Sequence, residues 1–101
     1  MSEDEPTDDA PVVEIEISDA LDLHFFAPRD IPAVVEAYLE AARERGFAEV
    51  RLIHGKGKGV QRARVRQILS QHSHVIEFFE GTPARGGWGA TIARLALPHD
   101  A

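Results

Sequence analysis

The stretch AEVRLIHGKGKGVQRARVRQIL, residues 48–69, decides the fold. AEVRLIH (48–54) is short and apolar at its centre, and reads as a buried strand. HGKGKG (54–59) is a glycine-rich turn. Residues 60–72 then read as a helix, with Val65, Ile68 and Leu69 as its apolar stripe and Arg62, Arg64 and Arg66 spread around the rest. A strand that leads through a tight turn into a helix is the first half of a parallel crossover.

Working outward, residues 30–46 form the clearest helix. Ile31, Val34, Val35, Tyr38, Leu39 and Ala42 recur at the spacing of one helix face. Asp30 is placed as its N-cap, Pro32 in its first turn and Gly46 just past its end. Before it, LDLHF (21–25) alternates. Leu21 and Leu23 are expected to face a core, with Asp22 and His24 on the opposite face. VVEIEI (12–17) alternates as well and suggests a short edge strand. On the C-terminal side, HVIEFFE (74–80) is a strand and GTPARGGWG (81–89) a loop. ATIARLAL (90–97) is apolar on both faces, as a central strand is. The order β-α-β-α-β-β predicts an α/β two-layer sandwich: a mixed four-stranded sheet with two helices on one face, the other face more open.

The chain has 101 residues, 44% hydrophobic and 28% charged, which suits one small domain. Residues 1–12 are expected to be a disordered acidic tail and residues 13–98 the domain. No apolar run is long enough to span a bilayer. The acidic start lacks an export signal, so a cytoplasmic, standalone protein without membrane partners is expected, with a monomer as the default. The chain has no cysteine, which excludes disulfides, thiolate metal sites and a thiol nucleophile. Eight of its seventeen acids lie in residues 1–20, so the remainder holds nine acids against eleven bases. Residues 51–66 carry six bases and no acid. The tail is either a solubilising segment or a polyanion mimic that shields this belt.

In α/β sheets, ligands gather at the carboxyl ends of parallel strands. His24 and His54 are expected at two such ends, on strands about 4.8 Å apart. Asp22 shares the face of His24. The loop Gly55-Lys56-Gly57-Lys58-Gly59 opens a helix, which makes it an anion site, with Arg62 and Arg66 following. It lacks the pattern of a Walker A loop or a dinucleotide fingerprint. Repeated bases suit a polyanion such as nucleic acid. Arg85, Gly87, Trp88 and Gly89 form a second loop, whose ring can stack on an unpaired base or cap the sheet edge. His72 and His74 read as a helix end and a strand start rather than a metal pair.

LDLH (21–24), RLIHGKG (51–57) and GGWGAT (86–91), in that order, resemble the Smr (small MutS-related) domain over residues 20–97. The resemblance implies a two-layer fold like the C-terminal domain of a translation initiation factor. It implies nucleic-acid binding and an endonuclease that nicks or cleaves DNA or RNA phosphodiester bonds, with a role in DNA repair or recombination. The alternative is a non-catalytic module for branched or single-stranded nucleic acid. By resemblance, Asp22, His24 and His54 are the catalytic candidates. Gly55, Lys56, Gly57, Lys58, Gly59, Arg62, Arg66, Arg85, Gly87, Trp88 and Gly89 are candidates for phosphate or nucleic-acid contact. One histidine would act as general base and the other as acid. RNA cleavage by its own 2′-OH needs no metal. DNA cleavage by water favours a divalent ion (Mg or Mn), with Asp22 as a ligand. The sequence departs from the family pattern in two places: Phe25 and Phe26 follow LDLH, and Gly86 stands where the second loop has threonine.

Overall fold

The computed structural model describes residues 17–98. The acidic tail, and all but the last residue of the strand expected over 12–17, lie outside them. The elements are β1 (Ala20–Asp22), α1 (Ile31–Glu44), β2 (Glu49–Ile53), α2 (Val60–Gln71), β3 (Val75–Glu80) and β4 (Ala90–Leu95). The sheet order is β1-β2-β4-β3. β1 and β2 are parallel, and β4 runs antiparallel to both of its neighbours, β2 and β3. This is the expected mixed four-stranded sheet, with the most apolar strand inside it.

Why the chain takes this form follows from where its apolar groups fall. β2 alternates, with Val50 and Leu52 fully buried between half-exposed neighbours. α1 turns Ile31, Val35, Tyr38, Leu39 and Ala42 inward, and α2 turns in Val65 and Leu69. All of them join one cluster with Ala93 and Leu95 of β4, so both helices cover the same face of the sheet. α1 ends as its sequence predicts. Gly46 sits at φ +85°, and the Phe47 N–H donates back to Ala42 O at 3.0 Å. The opposite face carries a charged row in which Arg94 lies directly across from both Glu49 and Glu77 and pairs with Glu77. No helix among the described residues is long and apolar enough to cross a membrane.

One element differs from its expected form, and the difference shapes the site. The strand expected over 21–25 stops at Asp22, and Leu23–Phe25 make a single 3-10 turn. The cause is the Asp22 carboxylate, which accepts the His24 backbone N–H at 2.9 Å and caps that turn. Leu23 still reaches the core. Asp22 and His24 are therefore neighbours through a capped turn rather than through the pleat of a strand.

Candidate functional site

The capped turn has a second consequence. Asp22 Oδ1 also lies 2.7 Å from His24 Nδ1. A carboxylate can only accept, so Nδ1 carries the ring proton and Nε2 is left with a free lone pair. The two hydrogen bonds from His24, the backbone one first, hold the Asp22 carboxyl below its usual range. Asp22 thus stays charged through the neutral range. His24 is exposed and its ring lies over Gly55. A Cβ built on Gly55 would fall 2.7 Å from His24 Nε2. Gly55 also has φ +84°, so this position suits glycine on both counts.

His54 is placed differently. It is buried, at 6% exposure. Its Nδ1–H donates to Gly55 O at 3.0 Å, and its Nε2 accepts from the Thr91 hydroxyl at 2.9 Å. With both nitrogens engaged, His54 has none free for a substrate. The two histidines, expected as an acid and base pair, thus differ in the structure: His24 is exposed with one ring nitrogen free of a hydrogen bond among the described residues, and both nitrogens of His54 are engaged within the fold. Thr91 is the residue that sequence reasoning missed. A threonine among apolar neighbours in a central strand must find a buried partner, and that was the available signal. Gly89 O completes the scaffold by accepting from His54 N at 3.0 Å and Gly55 N at 2.9 Å. The two glycine loops are therefore joined by backbone bonds.

Burial, reinforced by the nearby charges of Arg62, Arg66 and His24, lowers the His54 pKa from 6.5 against the opposing bond to Gly55. The folded state then binds a proton less readily than the unfolded chain. Stability from this group is present above about pH 6.5 and is lost as pH falls toward the folded value, by up to about 1.4 kcal/mol per pH unit. Urea midpoints for wild type are expected to fall more steeply than those for His54→Gln between about pH 7.5 and pH 5.5. Equal slopes would show that His54 protonates as freely when folded as when unfolded.

Around this scaffold, Lys56, Gly57 and Lys58 are exposed, and α2 begins at Gly59 without a side-chain cap. The first-turn N–H groups and both ammonium groups thus share one end of the molecule. Trp88 rests on Gly59: a Cβ there would be 3.4 Å from the ring edge. The Arg62 guanidinium stands 5.0 Å over the ring. Arg62 also pairs with Glu80, and Arg66 covers the Phe78 ring, so these two bases are partly engaged within the fold. Gly87 lies in the Trp88 turn at φ +52°. Arg85 does not join the cluster. The left-handed Gly86 (φ +98°) reverses the chain after it, and its guanidinium bonds Glu49 at 3.0 Å.

Among the described residues, Asp22, His24 and His54 do not converge as a three-ligand set. Asp22 Oδ1 is taken up by His24, and His54 by Thr91 and Gly55. What Asp22 and His24 form is an imidazole–carboxylate pair. The group that does converge is Glu36, Glu40 and His72, on the helices. There the His74 N–H donates to His72 Nδ1 at 3.1 Å. The neutral ring then carries its proton on Nε2, which faces the carboxylates at 3.2 and 3.3 Å. The proton on Nε2 leaves no lone pair there for a metal, and Nε2 lies near the two acids without a hydrogen bond to either. His72 and His74 stand at a helix end and a strand start, as read from the sequence.

The Smr domain family model matches residues 21–96. Endonuclease MutS2 of Staphylococcus carnosus is 36% identical over 75 residues, 74% of this chain and 10% of that protein. Endonuclease MutS2 of Staphylococcus aureus is 37% identical over 79 residues, 78% of this chain and 11% of that protein. The chain thus spans about a tenth of the length of these relatives. Among solved structures, the Smr domain of Thermus thermophilus MutS2 superposes with a TM-score of 0.73 at 33% identity, covering 78% of this chain and 99% of that one. YdaL, a stand-alone small MutS-related protein from Escherichia coli, gives 0.72 at 25% identity, covering 76% and 63%.

Proposed function

The chain belongs to the Smr domain family, and from that premise we propose that it binds nucleic acid at the joined glycine loops and cleaves a phosphodiester bond with Asp22 and His24. The observation that carries this reading is the 2.7 Å Asp22–His24 pair, with its free Nε2 set against Gly55 of the anion-binding loop. A phosphate over Gly55, Lys56 and Gly57 meets backbone N–H groups, the start of α2 and the ammonium groups of Lys56 and Lys58. His24 Nε2 takes the proton from the attacking hydroxyl, either a ribose 2′-OH or water. Asp22 stabilises the imidazolium that forms. As the bond to the leaving oxygen breaks, the lysines offset the charge that develops there. Histidine suits this work because its pKa lies near the working pH. His54 moves no proton and keeps the loop in shape.

The test is a binding and cleavage assay on supercoiled plasmid and a stem-loop RNA, each with magnesium and with EDTA. Binding should weaken steeply with salt through counterion release. The double variant Lys56→Ala/Lys58→Ala is expected to reduce the log–log salt slope by about 2, since each lysine that neutralises a phosphate adds roughly one to it. An unchanged slope would remove the loop from the interface. Binding without product from either substrate would leave a non-catalytic module for nucleic acid.

A further inference from the structure

Phe25 is 83% exposed, more than any other large hydrophobic side chain of the described residues. It does not hang from a loose loop. It closes the 3-10 turn that Asp22 caps, and the next residue's N–H donates to Leu23 O at 3.2 Å. Leu23, at 3% exposure, anchors the same turn in the core. The turn that carries His24 therefore also carries an exposed aromatic ring, one residue further on. Phe26 turns elsewhere and lines an apolar groove with Leu21, Val34 and Tyr38.

The other aromatic at this site is less available. Trp88 has Arg62 over one face and its edge on Gly59, which leaves it 38% exposed. Of the two readings that the sequence left open for Trp88, the structure favours the ring braced on the scaffold, and Phe25 is the more open surface. Phe25 directly follows His24 in the same turn, with their Cα atoms about 3.8 Å apart, so the ring and the imidazole leave neighbouring points of one short backbone segment. In an intact duplex, each base already has both faces stacked on neighbours. An unpaired base has a face to offer, and an aromatic ring takes it without regard to sequence.

We propose that Phe25 is a stacking platform for an unpaired nucleobase beside the phosphate held at His24, so that the site selects single-stranded or looped nucleic acid over intact duplex. This rests on reading the same site as a phosphodiester site. The experiment uses the full chain and a short oligonucleotide carrying 2-aminopurine, whose fluorescence is quenched by stacking. The probe is presented as a single strand and as a blunt duplex of the same sequence, and its integrity is checked on a gel. Phe25→Ala is expected to weaken single-strand binding by about tenfold and to relieve the quench, with duplex binding unchanged. Phe25→Tyr is expected to restore both. Because Phe25 packs little surface against the core, a folding defect is not expected, and circular dichroism would check this. If wild type and Phe25→Ala bind and quench alike, or lose single strand and duplex equally, the platform is overturned while nucleic-acid binding stands. If wild type binds neither form, both readings fall together.

Discussion

His24→Ala is expected to lower phosphodiester cleavage by about 10²- to 10⁴-fold while leaving nucleic-acid affinity close to wild type. His24 is exposed, and the polar group it meets is the Asp22 carboxylate, through both the ring and the backbone N–H. Removing the ring leaves the loop, the lysines and α2 in place. What disappears is proton transfer. His54→Ala should behave in the opposite way. It removes a buried ring and strands the Thr91 hydroxyl and Gly55 carbonyl that the ring satisfies. An unsatisfied buried group costs about 1–3 kcal/mol, so a lower urea midpoint and weaker binding are expected together. Thr91→Val, which keeps the shape but withdraws one hydroxyl, should show the same stability loss in milder form. The pair of histidines is thus separable by measurement: His24→Ala is expected to change rate at constant stability, and His54→Ala to change stability. Equal loss of rate in His54→Ala, with no change in midpoint, would return His54 to the chemistry.

The difference between the two histidines also marks how far the sequence was legible. Both helices were readable from the apolar period of one face, and the last three strands from short apolar runs between turn residues. The alternating LDLHF misled because a strand and a capped 3-10 turn can share that pattern; the deciding interaction is the Asp22 carboxylate on the His24 N–H. That His54 is buried and held was not readable, because its partner Thr91 comes 37 positions later and meets it only across the β2–β4 pairing. The Arg85 contact was not readable for a related reason. Arg85 stands near Trp88 in the chain, but Gly86 reverses direction between them and sends the guanidinium to Glu49. The motif positions were legible as residue types at spacings. Their division of labour came from contacts that spacing does not encode.

Gly55→Ala brings these contacts together, and a large effect is expected from it. Two costs are superimposed. At φ +84° an L side chain is strained, by about 1–2 kcal/mol. In addition, the new methyl would stand 2.7 Å from His24 Nε2, closer than real Cβ atoms approach a neighbour. The backbone at Gly55 cannot retreat freely, because its N–H is held by Gly89 O and its carbonyl by His54. His24 must give way, and with it the free lone pair leaves the loop. Cleavage should therefore fall by as much as in His24→Ala, although both members of the dyad are intact. Gly57→Ala separates the two costs. Gly57 also has positive φ (+31°), but a Cβ there meets nothing within 4 Å. It should lose some stability and keep most of its rate. A double-mutant cycle then isolates the clash. In a His24→Ala background the space beside Gly55 is empty, so Gly55→Ala should destabilise by the strain alone, less than it does in wild type. If the cost of Gly55→Ala is the same in both backgrounds, the imidazole does not rest on Gly55, and the placement of Nε2 against the phosphate loop fails with it.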